Sequence, residues 1–238
     1  MKFDIISIFP DFFTNPLKCG IVRIAQEKGI ITVDITNPRS FTPDGKVDDY
    51  QFGGGAGMIM KPEPLIRSIR KLTKKQSHLI QLTPKGIPYT QKIARKLSKE
   101  KHIIIVCGRY KGIDERVSDL CKPMELSIGD YILSGGEVAA FALIESIARL
   151  LPGTLGNRDS AESDSFVDTL LDPPRYTRPQ AYRHKIVPEV LRTGNHAAIA
   201  RFRRKMSLLH TLEKRPDIMP LETFSLQDLD ILLEVING

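Results

Sequence analysis

Most common signatures of metal and nucleotide chemistry are missing from this chain. Its three cysteines, Cys19, Cys107 and Cys121, cannot all pair with one another, and no two form a C-x-x-C. That favours a reducing, cytoplasmic setting over a disulfide scaffold or a zinc site. His78, His102, His184, His196 and His210 show no metal-ligand spacing, so no metal-binding residue is expected. No apolar run approaches the roughly 18 residues of a membrane helix, so no membrane partner is expected. A strand pattern begins within three residues of Met1, which leaves no signal peptide to expect. No Gly-Lys-Ser/Thr closes a phosphate loop, and no G-x-G-x-x-G follows the first strand. Internal repeats and low-complexity tracts are absent too.

What remains is a chain of 238 residues, 41% hydrophobic and 26% charged, in the range of a soluble globular protein of one large or two small domains. The net charge is +7, and its distribution is uneven. Between Arg175 and Arg215 eleven Lys or Arg face two acids, Glu189 and Glu213, a local +9 that leaves −2 for everything else. So concentrated a basic segment suits a polyanion, above all nucleic acid; the plain alternative is a solvated basic helix.

Hydrophobic periodicity predicts strands over 2–9, 30–35, 79–82, 102–107 and 124–128. It predicts helices over 14–28, 63–72, 88–97, 113–120 and 138–151. Alternating strands and helices argue an α/β domain with a parallel sheet. Residues 41–57 read as one long loop. Pro152 and Gly153 stop the helix before them, and 158–172, with five acids against one arginine, reads as a linker or lid. Beyond Pro173 the pattern is helical and basic, over 189–192, 195–213 and 226–235. In the middle helix Ile199, Phe202, Met206 and Leu209 form one expected buried stripe, with Arg201, Arg204 and Lys205 facing outward. The expected division is 1–158, a linker at 159–172, and 173–238.

Three predicted strands open into glycine-containing loops: Leu82-Thr83-Pro84-Lys85-Gly86, Cys107-Gly108-Arg109-Tyr110-Lys111-Gly112, and Ser127 to Glu137 with Gly129, Gly135 and Gly136. Ligands of open α/β sheets bind at the carboxyl ends of strands. Free N–H groups beside the apolar Tyr131, Ile132 and Leu133 suit a flat heterocycle better than bare phosphate; a tight turn without ligand is the alternative. The run Gly53 to Gly57 is either a flexible turn or a ligand loop. Asp48 and Asp49, adjacent on a strand, would point to opposite faces and make a poor metal pair. Arg149 shares a helix face with Glu145, so it is either half of a surface pair or a side chain aimed into a site. Asp164, in the acidic segment, is by itself a solvated charge.

The segments SIGDYILSGGE, GRYKGIDERV, LTPKG, VDDYQFGGGAGM, DSFVDTLLDPPRYTRP and FDIISIFPDFF together resemble the bacterial tRNA (guanine-37-N1)-methyltransferases, the TrmD type of the SPOUT methyltransferases, from the first strand to about Pro216. The resemblance implies a deep trefoil knot through 82–137, which general topology rules would not predict. A small C-terminal helical domain would follow it. It implies a homodimer whose Asp164 serves the partner's site. Methyl transfer from S-adenosyl-L-methionine to N1 of guanine 37, beside the tRNA anticodon, is the implied activity, with Mg²⁺ as an added requirement that no residue locates.

By the same resemblance the donor is held by Leu82, Thr83, Pro84, Gly86, Gly108, Tyr110, Ser127, Ile128, Gly129, Tyr131, Leu133 and Gly135. Asp164 is the implied general base and Arg149 the catalytic arginine. Gly57 and Ser165 are implied at the nucleobase, while Arg201, Arg204 and Lys205 are the expected tRNA contacts on the anticodon stem-loop. The chemistry matches these types. Guanine N1 carries a proton at neutral pH and must lose it while charge builds on O6, which a carboxylate and a guanidinium can manage. Gln81, Lys111, Thr169 and Phe202 depart from the family's usual tyrosine, glutamate, glycine and tryptophan. Two other classes stay open at this point, a non-catalytic RNA-binding module and a nucleotide-using phosphotransferase, besides a methyltransferase of another RNA base.

Overall fold

The computed structural model describes residues 1–155, 165–166, 170–219 and 224–236, the side chains of 235–236 excepted. It divides into two compact units, Met1–Gly156 and Asn157–Gly238.

In the first unit five strands form one parallel sheet in the order β2-β1-β6-β5-β7. These are β1 (Lys2–Ile6), β2 (Thr32–Thr36), β5 (Ser77–Pro88), β6 (His102–Cys107) and β7 (Met124–Ser127). β3 (Asp48–Tyr50) and β4 (Met58–Met60) make a separate antiparallel hairpin. The central β6, HIIIVC, is buried along its whole length, as a strand covered on both faces must be. Its side chains alternate between two cores. Ile103, Ile105 and Cys107 join the core that holds α1 (Gly20–Glu27), α3 (Gln91–Leu97) and α5 (Glu137–Ala148). Ile104 and Val106 join the other, under α2 (Pro62–Leu72) and α4 (Glu115–Cys121). Truncating Ile105, fully buried, to Ala would cost about 2–5 kcal/mol. One polar chain crosses this interior: His102 sits 2.6 Å from the Asp4 carboxylate and 2.8 Å from Ser77 Oγ, so each buried group is partnered.

Three local expectations are corrected. The helix expected over 14–28 is one 3-10 turn, Pro16–Lys18, followed by α1, because Pro16 and Gly20, the latter at φ +55°, interrupt it. Pro88 ends a strand instead of starting a helix. After a register shift Ile87 and Pro88 pair with Leu126 and Ser127, and α3 starts at Gln91 with Thr90 as its cap. The loop 41–57 contains β3, so Asp48 and Asp49 stand opposite Met60 and Ile59 in the hairpin.

The second unit holds the hairpin β8 (Ala181–Tyr182) and β9 (Lys185–Ile186), then α6 (His196–Lys214) and α7 (Leu226–Ile236). Its core is small: Leu170, Leu208 and Ile231, with Met219, Phe224 and Leu232 against them. The buried face of α6 is not the expected stripe. Ser207, Leu208 and Thr211 are buried, while Ile199, Phe202, Met206 and Leu209 are only half-buried. The rotation follows from Arg204, which turns inward and grips the Asp228 carboxylate with two bonds of 2.6 and 2.9 Å.

Candidate active site

The carboxyl ends of β5, β6 and β7 lie side by side, and the three glycine loops leave them together. Beyond Leu82 the chain bulges from its pairing with β7 and rejoins it at Ile87. Gly86 makes that return: a Cβ there would come within 2.5 Å of the Glu125 carbonyl carbon, so no larger residue fits. After β6, Tyr110 adopts φ +59° and reverses the chain. After β7 the turn ends at Gly136, whose N–H donates to the Gly108 carbonyl at 3.0 Å. A Cβ on Gly136 would lie 2.8 Å from Cys107 Cα, which explains the glycine immediately before α5.

These loops enclose a cavity of about 420 Å³, in the range of a small-molecule site. Eleven of the twelve expected donor residues line it: Leu82, Thr83, Pro84, Gly108, Tyr110, Ser127, Ile128, Gly129, Tyr131, Leu133 and Gly135. Gly86 does not; it is spent on the close approach to β7. Gln81 and Lys111, two of the departures, also line the cavity. No carboxylate does among the described residues. Gly57 stands just outside, in the β3–β4 turn. A Cβ there would meet Lys111 Cγ at 2.9 Å, and the Lys111 N–H donates to the Met58 carbonyl, so this hairpin adjoins the cavity wall.

An ion pair that sequence reasoning missed holds the loops in place. Glu137, 1% exposed at the start of α5, accepts bonds from Arg109 Nε at 2.9 Å and from Ser7 Oγ at 2.7 Å. Arg109 also donates to the Ser134 carbonyl and lies 4.4 Å from the centroid of the Phe9 ring. One carboxylate thus ties the exits of β1 and β6 to the turn after β7. The available signal was a charge of each sign inside two glycine-rich segments. Burial pushes the Cys107 thiol well up, and the Glu137 carboxylate pushes the same way, so this cysteine is no nucleophile.

The family described as tRNA (Guanine-1)-methyltransferase TrmD matches residues 1–221. The chain belongs to it. Proteins named tRNA (guanine-N(1)-)-methyltransferase are similar over nearly the whole length. That of Carboxydothermus hydrogenoformans is 49% identical over 98% of this chain and 92% of its own. That of Anoxybacillus flavithermus is 47% identical over 96% and 94%, and that of Dictyoglomus turgidum 44% over 99% and 96%.

Among the described residues, Arg149, Ser165, Arg201, Arg204 and Lys205, also expected for a TrmD site, do not line this cavity. Arg149 caps the far end of α5, its N–H bonded to the Glu145 carbonyl. Helical rise puts it roughly 20 Å from Gly136, at the opposite edge of the sheet from the cavity. Asp164 and Thr169 lie outside the described residues. Ser165 Oγ accepts the Asp172 N–H at 2.9 Å, and the Phe166 N–H donates to the Leu170 carbonyl at 2.9 Å. On α6, Arg201 pairs with Glu234, Lys205 and Phe202 are half-buried, and Arg204, expected outward, is bound to Asp228. Among the described residues no helix is long and apolar enough to cross a membrane.

Proposed function

We propose that this chain transfers a methyl group from S-adenosyl-L-methionine to N1 of guanine 37 in tRNA, next to the anticodon. The observation that carries the proposal is the convergence of three glycine loops on one cavity with apolar walls and exposed backbone groups, in a chain of the TrmD family. The donor fits what lines it. Leu82, Ile128 and Leu133 offer an apolar slot for an adenine, and the loops supply backbone partners for its edge. Bound there, the donor supplies a methyl group on an electron-poor sulfur.

The chain's own work is to prepare the base. Asp164 takes the N1 proton, and Arg149 offsets the charge that builds on O6; each is worth on the order of 10²-fold or more in rate. Guanine leaves its stack to reach the cavity, with Gly57 and Ser165 beside it. The basic second unit, through Arg201 and Lys205, grips the anticodon stem-loop by its phosphates.

A homodimer completes the site in this reading. The separation of Arg149 from its own cavity supports it, as do the exposed Ile132 (84%) and Val138 (50%) beside that cavity. The deep trefoil knot through 82–137 is read from the resemblance; the loops it would join are in contact, with the Tyr89 N–H donating to the Ser127 carbonyl and Arg109 bridging Gly135. The domains are assigned as 1–158 for donor binding, 159–172 as linker and 173–238 for tRNA. A cytoplasmic setting agrees with three free cysteines. For Mg²⁺ the residues do not fit: no three His, Cys, Asp or Glu gather among the described residues, and no step is routed through the ion.

The test is methyl transfer from labelled donor to unmodified tRNA with guanine 37, beside the same tRNA with adenine there. Label in the first alone is expected. Label in both would move the target base, and label in neither would return the chain to the RNA-binding class.

A further inference from the structure

The most basic stretch of the chain is not in the second unit. From Arg67 to Lys101 eleven Lys or Arg face one acid, Glu100, a local +10. Topology gathers much of it at one place. Because β5, β6 and β7 are parallel neighbours, the turns that lead into them lie side by side at the amino edge of the sheet. Lys74 and Lys75 precede β5, Lys99 and Lys101 precede β6, and Lys122 precedes β7. All five are exposed, as is Arg70 at the end of α2. Strand spacing of about 4.8 Å keeps the turns within a Debye length or so of one another at physiological salt, so their fields add.

Two further observations mark this edge. Several basic side chains elsewhere in the unit are paired, Arg23 with Glu27, Arg67 with Glu63, Lys85 with Glu115 and Arg116 with Asp114, whereas others among the described residues, such as Lys18, Lys46, Lys61, Lys92 and Lys96, stand singly and are not gathered at the turns before β5, β6 and β7. Among the described residues none of the six edge cations has an ion-pair partner, and Glu100 lies toward His78 instead, at 3.9 Å. The charges also flank a groove of about 720 Å³ lined by Leu79, Leu120 and Met124 together with Arg70, His78 and Lys122. Helix C-termini attract cations, which accounts for Arg70 and Lys122. It does not account for Lys74, Lys75, Lys99 and Lys101, which lie beyond the helix ends.

We infer that this amino edge is a second RNA-binding surface, gripping the phosphate backbone of the substrate tRNA away from the methylated base. It lies about 20 Å from the donor cavity, the length of the six-residue β6 between them. The inference rests on the reading of tRNA as substrate. Phosphate contacts of this kind carry affinity and position, not sequence.

The test is equilibrium binding of labelled unmodified tRNA to the full chain across a potassium chloride series, for the wild type and for Lys74→Glu/Lys75→Glu/Lys99→Glu. The expected result is a loss of about tenfold or more in tRNA affinity and a salt slope reduced by about 2, at roughly 0.7–0.9 for each phosphate no longer neutralised. Affinity for S-adenosyl-L-homocysteine should be unchanged, which reports an intact fold. The neutral set Lys74→Gln/Lys75→Gln/Lys99→Gln should give a smaller loss of the same kind. Unchanged tRNA affinity and slope in both sets would overturn the inference while leaving the function intact. Loss of binding to anionic lipid vesicles or to an acidic peptide, with tRNA binding kept, would overturn it in favour of that partner. A wild-type chain that binds no tRNA would remove the function reading, and this one with it.

Discussion

Arg109 Nε and Nη2 both lie 2.9 Å from Glu137 Oε2, beneath the turn that closes the cavity. The arginine is partly exposed, but the carboxylate is sealed, and its other oxygen is taken by Ser7. Removing one partner of a buried pair leaves the other charged and dry, at a cost of about 3–5 kcal/mol. Arg109→Ala should therefore destabilise the first unit by an amount near the lower end of that range, read as a lower urea midpoint. It should also weaken binding of S-adenosyl-L-homocysteine by freeing the 134–136 turn. A midpoint and affinity equal to wild type would mean that packing alone holds the loops.

The second unit has its own anchor, and it is pH-sensitive. Arg204, reinforced by Ser225, pulls the Asp228 carboxyl from 3.8 down to about 2. A carboxylate depressed in the folded state adds stability above its unfolded pKa and loses it as pH falls through the folded one. About 2 kcal/mol should thus be present at pH 5 and fade toward pH 2. Asp228→Asn should lower stability at pH 5 and remove that part of the acid dependence, measured as the difference in thermal midpoint between wild type and variant at several pH values. A constant difference across this range would mean that the pair is not what titrates.

How much of this was legible beforehand differs by element. β6 was readable because six apolar residues in a row have no other use in an α/β chain, and the three glycine loops were readable because the strands before them were. Pro88 misled because its ring suits a first helical turn, whereas only the partner strand β7 decides that the chain stays extended through it. The face of α6 misled because apolar periodicity ignores Asp228, distant in sequence, which draws Arg204 inward. Arg109 and Glu137 escaped notice because a pair separated by 28 residues has no periodicity at all. The basic edge was hidden by arithmetic: subtracting the C-terminal +9 left −2, and a local +10 disappeared into that sum.

Gly86 separates a packing role from a binding role. It touches the β7 backbone and does not line the cavity. Gly86→Ala should cost about 1–3 kcal/mol through overpacking. Because β7 must shift to admit the methyl, Leu126 and Ser127 should move with it, and donor-analogue affinity should fall together with the thermal midpoint. A fall in affinity with no change in midpoint would instead give Gly86 a direct contact with the ligand.

The proposal that one chain's Asp164 serves its partner's cavity has a test with opposite outcomes for the two arrangements. Asp164→Ala alone should abolish methyl transfer and leave donor binding intact, since the base touches only the nucleobase. Gly136→Val alone should abolish donor binding, because its side chain would collide with Cys107. The two variants are then co-expressed with different tags. If base and cavity come from different chains, a mixed dimer pairs the intact cavity of the Asp164 variant with the intact Asp164 of the Gly136 variant and contains one working site. Random assortment makes half the dimers mixed, so activity should recover to about a quarter of wild type per chain, concentrated in the doubly tagged fraction. If base and cavity belong to the same chain, every site in every dimer lacks one or the other, and the mixture stays silent. Recovery is expected here, because Arg149, assigned to the same site as Asp164, lies at the far end of α5 from its own cavity, as an arrangement shared between two copies would have it.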